Sequence, residues 1–321
     1  MQFLQMASDL TNTTIVFATA LIFAMLGGLF SERSGVVNIA LEGLMTVGAF
    51  TAAIVTYFAE TQLGTGPLSP WIGFLSAMIV GFVFAIPHAV ASITFRANQV
   101  VSGVALNFLA TGLTLYLCKI LLNGSAQTPT LKNAFAKWHI PFLSDIPFIG
   151  NALFSGYPTS YIVFILVALS AFILYKTPFG LRLRAVGEHP MAADSVAVNV
   201  FRMRYIAVMI SGALAAMGGA TIALTTTSNF SHNTISGQGF IALAALIFGK
   251  WRPVAGMFAA LFFGVASALK SVFQIYGVTN YIPVDFIYIF PYAITILVLA
   301  GFVGRAIAPA ANGIPYEKGN R

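Results

Sequence analysis

Charged side chains are scarce in this chain. Asp, Glu, Lys and Arg together make up 8% of its 321 residues, about a third of what a soluble domain carries. With 58% hydrophobic residues, there is too little polar surface to clothe a fold in water. That excludes a water-soluble domain and leaves a polytopic membrane protein. Cysteine is nearly absent. The one residue, Cys118, excludes an internal disulfide and a cysteine-built metal site. The four histidines, at 88, 139, 189 and 232, have no metal-ligand spacing, so no metal ligands are expected.

Nucleotide and hydrolase motifs are missing too. The P-loop pattern G-x-x-x-x-G-K-[ST] does not occur; the nearest string, 244–251, has Gly249-Lys250 without the first Gly or the Ser/Thr. Neither H-E-x-x-H nor G-x-S-x-G is present. No catalytic residue is assigned, the chain is not expected to be an enzyme, and it is expected to carry no cofactor. If ATP drives it, a partner ATPase binds that ATP. The N-terminus has no basic n-region and no small-residue cleavage site, so no cleaved signal peptide is expected.

What is present is a succession of apolar runs, at about 13–30, 44–59, 71–94, 99–122, 160–176, 205–227, 240–249, 254–270 and 286–304. A crossing needs about 20 apolar residues. The expected fold is all-α: one transmembrane helical bundle over 1–321, with about nine spans, eight or ten being the other counts. The run at 240–249 is short and predicts a broken helix or one completed by Gly237-Gln-Gly239. Small residues four apart (Gly212, Ala216, Ala220 and Ser211, Ala215, Gly219) predict close helix packing in lipid. Pro87 and Pro291 predict kinks.

The few charges are sorted. Alternating the loops puts Arg33, Arg96, Lys176, Arg182, Arg184, Arg202, Arg204, Lys250, Arg252, Arg305, Lys318 and Arg321 on one side. Lys119, Lys132, Lys137 and Lys270 fall on the other. The positive-inside rule assigns the first set to the cytoplasm, with the N-terminus outside and the C-terminus inside. The 177–204 stretch is then a cytoplasmic loop, 305–321 a cytoplasmic tail, and 123–159 an extracytoplasmic loop too short for a core of its own. The net charge of +7 sits in short loops between apolar runs, which argues against a nucleic-acid partner and for membrane lipid.

Polar residues inside the apolar body have two readings each. Ser31–Gly43, with Glu32, Arg33, Asn38 and Glu42, reads as an unwound or re-entrant piece, allowed at membrane depth only when buried in protein or facing water. Glu42 either lines a translocation path or caps a helix N-terminus. Glu32 and Arg33 read first as a structural pair. Asn107 lies mid-span and serves either as interhelical glue or as path lining. Gln238, like Asn38, sits at a Gly-flanked break. His88, beside Pro87, reads as a satisfied packing residue.

Three ordered motifs carry a resemblance. They are Glu32-Arg-Ser-Gly-Val-Val-Asn-Ile-Ala-Leu-Glu-Gly-Leu-Met45, Gly180-Leu-Arg-Leu-Arg-Ala-Val-Gly-Glu-His-Pro-x-Ala-Ala-Asp194 and Ala245-Leu-Ile-Phe-Gly-Lys-Trp-x-Pro-x-x-Gly256. Over about 15–305 the chain resembles the permease subunits of ABC importers for branched-chain amino acids, simple sugars and nucleosides, most of all the nucleoside permeases. The resemblance implies a bacterial plasma-membrane assembly with a second homologous permease, a cytoplasmic ABC ATPase and an extracytoplasmic substrate-binding protein, often a lipoprotein. It also implies that the loop from Gly180 docks on the ATPase. Arg182, Arg184, Glu188 and Asp194 would form its charged face, beside Ala192. Gly180 and Gly187 would allow tight turns, and Pro190 suits the first turn of a short helix. The same basic residues could simply set topology and meet anionic lipid. The path candidates are Asn38, Glu42, Asn107 and Gln238, with Phe108 or Phe240 to stack a base. A simple-sugar or amino-acid permease and a stand-alone ion-coupled carrier are the rival readings; against the carrier, Glu42 has no obvious carboxylate mate.

Overall fold

The computed structural model describes residues 2–144, 146, 149–276, 286, 289 and 306–318. The expected span at 286–304, Pro291, Arg305 and Arg321 lie outside the described residues, apart from Phe286 and Ile289. The elements in order are α1 (Gln2–Arg33), α2 (Leu41–Thr61), α3 (Ser69–Phe84), α4 (Ile86–Ala89), α5 (Gln99–Leu121), β1 (Trp138–His139), α6 (Ile149–Leu153), β2 (Ser155–Gly156), α7 (Pro158–Lys176), α8 (Pro178–Glu188), α9 (Pro190–Ser195), α10 (Val200–Thr221), α11 (Gln238–Phe248) and α12 (Pro253–Ile275). Seven helical stretches among the described residues are long and apolar enough to cross a membrane. A 21-residue helix such as α2 spans about 31 Å at 1.5 Å per residue, matching a hydrocarbon core of about 30 Å. The run at 240–249 is α11, only 11 residues long.

Local sequence explains where helices start. Pro158, Pro178, Pro190 and Pro253 stand in the first turns of α7, α8, α9 and α12, where the missing N–H costs nothing. Asn98 Oδ1 accepts from the amides of Val100 and Val101, and Asn199 Oδ1 from Arg202, capping α5 and α10. Around Pro87 the third span breaks into α3, α4 and a π-helical turn, Val90–Thr94. Buried His88 donates from Nε2 to the Val37 carbonyl (3.1 Å), so its Nδ1 accepts from Ser102 Oγ (3.0 Å).

The core sits where α10 packs on α1, α2 and α3 together. Its small residues make this possible: Gly212 rests on the main chain of Gly81, and Gly219 on that of Met45. α1 in turn packs on α11 and α12, while α5 touches the body mainly through α2. The outer faces of α3 and α5 are apolar and exposed, with Leu75, Ile79, Phe108 and Leu109 among them, as a lipid-facing surface requires.

Three expectations need correction. Glu42 is in the first turn of α2, so the non-helical link is only 34–40. The 177–204 stretch is not a loop but α8, α9 and the start of α10, and Arg204 is buried rather than loop-exposed. Gly180 and Gly187 are helical close-approach positions, not turns. A Cβ at Gly180 would meet the Ile173 carbonyl, and one at Gly187 the Arg33 carbonyl.

Candidate functional site

The first turn of α2 is a junction of three helices. Asn38 donates to Ser211 Oγ of α10 (2.8 Å) and accepts from the Ala40 amide (3.1 Å). Asn107 of α5 accepts from the Gly43 amide (2.7 Å) and donates to the Ile39 carbonyl (3.0 Å). Glu42 takes the amides of Gly237 and Gly239 (the latter 2.6 Å). Its carboxylate therefore caps the N-terminus of α11 from another helix. The first-turn amides of a helix have no partner of their own, and a carboxylate there meets both the hydrogen bonds and the dipole. Asn38 and Asn107 thus act as glue between helices in the folded chain. Of the four path candidates, Gln238 lines open space.

That space is a cavity of about 870 Å³ between α1, α11, α12 and the π-helical turn Ile222–Thr226 that ends the α10 span. Phe17, Phe240 and Phe263 supply rings; Thr226, Ser236, Gln238, Ser267, Ser271 and Gln274 supply hydroxyls and amides. No Asp, Glu, Lys, Arg or His is among its described lining residues. Gln238 Oε1 accepts from the Ser236 amide, and its Nε2 finds no acceptor among the described residues. Phe108, the other stacking candidate, is 75% exposed on the far side of α5 and takes no part. The 123–159 segment folds over this end of the bundle. The amides of Thr128, Leu131 and Phe135 donate to the carbonyls of Phe230, Ser228 and Leu224. Lys137 donates to Asn12 (2.8 Å), and Glu60 takes the Lys132 and Asn133 amides.

At the C-terminal end of α1, roughly 24 Å from Phe17 at 1.5 Å per residue, charge is concentrated. Arg33 donates twice to the Trp251 carbonyl (2.9 and 2.7 Å) and pairs with Glu188 at 3.8 Å. Buried Glu32 takes the Trp251 indole N–H (2.6 Å) and the Asn312 amide (3.2 Å). The Arg33 and Arg96 regions, α8–α9, the 250–252 turn and 306–318 are brought together here. Of the seven docking candidates, Arg182 and Ala192 are exposed; the Arg182 side chain has no partner among the described residues, and the Ala192 carbonyl accepts from Ser195 Oγ (2.8 Å). Arg184 lies over the Tyr175 ring at 5.2 Å. Glu188 is held by Arg33 and the Ala310 amide, and Asp194 by Tyr316. Gly180 and Gly187 are buried in packing. The exposed surface of α8–α9 also carries large apolar side chains, Leu181 and Met191, with the adjoining Val196. Periodicity could have shown that face; the anchoring by 306–318 had no sequence signal.

Residues 10–299 match the family described as branched-chain amino acid transport system / permease component. The chain is 52% identical to the Guanosine ABC transporter permease protein NupQ of Bacillus subtilis (strain 168) over 322 residues, covering 100% of both chains. It is 43% identical to the Nucleoside ABC transporter permease protein NupC of Lactococcus lactis subsp. cremoris (strain MG1363), covering 95% of each. It is also 25% identical to the Guanosine ABC transporter permease protein NupP of Bacillus subtilis (strain 168), covering 78% of this chain and 70% of that one. The chain belongs to this permease family and is a multi-pass membrane permease subunit of the ABC transporter type.

Proposed function

We propose that this permease is one half of the membrane pathway of an ATP-driven importer of nucleosides. The carrying observation is the 870 Å³ cavity, which offers rings, hydroxyls and amides and no charged side chain among its described lining residues. A nucleoside is uncharged, with a planar base and a hydroxylated sugar, and such a lining answers both. A zwitterionic amino acid would need partners for two charges, which are costly to hold unpaired in a dry site. A simple sugar lacks a base for Phe17, Phe240 and Phe263 to contact. The relatives' names support the nucleoside reading.

The remaining parts of the assembly follow from the same reading. NupQ and NupP are two guanosine permeases of one organism, and both resemble this chain, which supports a second, homologous permease as partner. The end bearing α8–α9 faces the cytoplasm, where twelve of the sixteen basic residues of the chain were assigned. There the apolar Leu181–Met191–Val196 surface meets the ABC ATPase that binds and hydrolyses ATP. An extracytoplasmic binding protein delivers substrate at the opposite end, by the 123–159 and 228–239 segments. Rigid-body movement of α8–α9 against the bundle then alternates access.

Uptake of guanosine, glucose and leucine by the assembled transporter in proteoliposomes tests this. Gln238→Ala is expected to raise the KM for guanosine about 2–10-fold, the worth of one neutral hydrogen bond. Phe240→Ala should do at least as much. An unchanged KM in both variants, or uptake of leucine in preference to guanosine, overturns the reading.

A further inference from the structure

Residues 306–318 form no helix, yet they are among the best-anchored stretches at the α8–α9 end. The Ala311 amide donates to the Gly187 carbonyl at the end of α8 (2.9 Å), and the Gly313 amide to the Gly35 carbonyl in the α1–α2 turn (3.2 Å). Between them Asn312 reaches Glu32 (3.2 Å), a carboxylate that also holds the Trp251 indole. The Ala310 amide meets Glu188 (3.2 Å). Arg204, 1% exposed, ties the Ser34 carbonyl (3.1 Å) to that of Ile314 (3.0 Å). Tyr316 packs its ring on Phe201 at 5.6 Å with its phenol beside Asp194 of α9. Burial and the neighbouring Asp194 push the phenol up. Glu317 pairs with Arg96 beyond α4 (2.6 Å).

We propose that the 306–318 segment is a working part of the coupling apparatus, with Asn312 and Tyr316 as positioning residues that bolt α8–α9 to the α1–α2 turn. The proposal rests on reading α8–α9 as the element that receives the ATPase stroke. α8 and α9 are short, at 11 and 6 residues. The 310–316 stretch meets α8, α9, α10 and the α1–α2 turn at once, through main-chain and charge-assisted bonds of which the one from Arg204 to Ser34 is buried. A displacement of α8–α9 must therefore carry the α1–α2 turn with it or break that set. The turn leads directly into Glu42, whose carboxylate holds the α11 wall of the cavity. Motion at one end thus has a continuous packed route to the other, and the route is a claim about energetic coupling that mutation can test.

The experiment measures guanosine imported per ATP hydrolysed by the reconstituted transporter. The variants are Asn312→Ala/Tyr316→Ala, Tyr316→Phe and, on the ATPase-facing surface, Leu181→Asp. The double variant is expected to lower the import-to-hydrolysis ratio roughly fivefold with the ATPase still bound. Tyr316→Phe, which keeps the ring on Phe201, should give a smaller drop in the same direction. If the double variant fails to accumulate in membranes, the Tyr316→Phe ratio decides. A normal ratio in the tail variants with Leu181→Asp uncoupled or unbound overturns the role of 306–318. Normal binding and coupling in Leu181→Asp overturns the reading of α8–α9 beneath it.

Discussion

The middle of α1 and its C-terminal end solve opposite problems with the same chain. Around Phe17 the helix borders open space lined by hydroxyls, amides and rings, where Gln238 Nε2 has no acceptor among the described residues. Around Arg33 it enters a knot of paired groups, Glu32 with Trp251 and Asn312, Arg33 with Trp251 and Glu188, Arg204 with Ser34 and Ile314, in which Arg204 Nη2 and Asn312 Oδ1 are buried without a partner among the described residues. An open site can discriminate between ligands because its groups are not yet committed. A knot can transmit displacement because its groups are. On the proposed function, ligand selection falls to the first region and mechanical coupling to the second.

The sharpest way to break that contrast is to move charge across it. Ser271→Asp puts a carboxylate into a cavity whose described lining has none. With an ionised side chain costing about 2.5–3.5 kcal/mol at the centre of a span, guanosine uptake at low substrate should fall roughly 100-fold while the ATPase remains bound. Near-normal uptake would mean that the cavity is not the path. Next in size is Glu42→Ala, which leaves the Gly237 and Gly239 amides without an acceptor. Bonds to a charged group are worth about 1.5–3 kcal/mol, so the KM for guanosine should rise at least tenfold, with Glu42→Gln restoring part of it. A higher import cost per ATP with KM unchanged would instead place Glu42 in the coupling route alone. Smallest is Arg182→Ala. This exposed cation has no partner among the described residues, and a rim charge contributes at most about 1 kcal/mol. ATPase stimulation by substrate should change less than about fivefold, and complete uncoupling would restore the charged-face account of docking.

Much of the bundle was legible because hydrophobic length and charge sorting are local properties of a chain. Within the described residues the apolar runs became helices close to where they were read, and the small residues of α10 packed against three helices as their spacing implied. Glu42 had been open to two readings, and the capping one describes its contacts, though on α11 rather than on its own helix. The charged face expected at 180–194 is partly engaged within the chain, which counting charges cannot show: Glu188 pairs with Arg33. The 306–318 anchor was invisible because its key bonds join main-chain N–H and C=O groups, which every residue possesses.

Composition and order alone determined that this chain lies in a membrane as a helical bundle, because burial in hydrocarbon depends on how many apolar residues stand in a row. Only the tertiary structure decided which polar residues are spent as glue, which remain open to a ligand, and how segments about 280 residues apart meet at Glu32. Those outcomes depend on partners brought near by packing, and a linear string does not specify who the neighbours are.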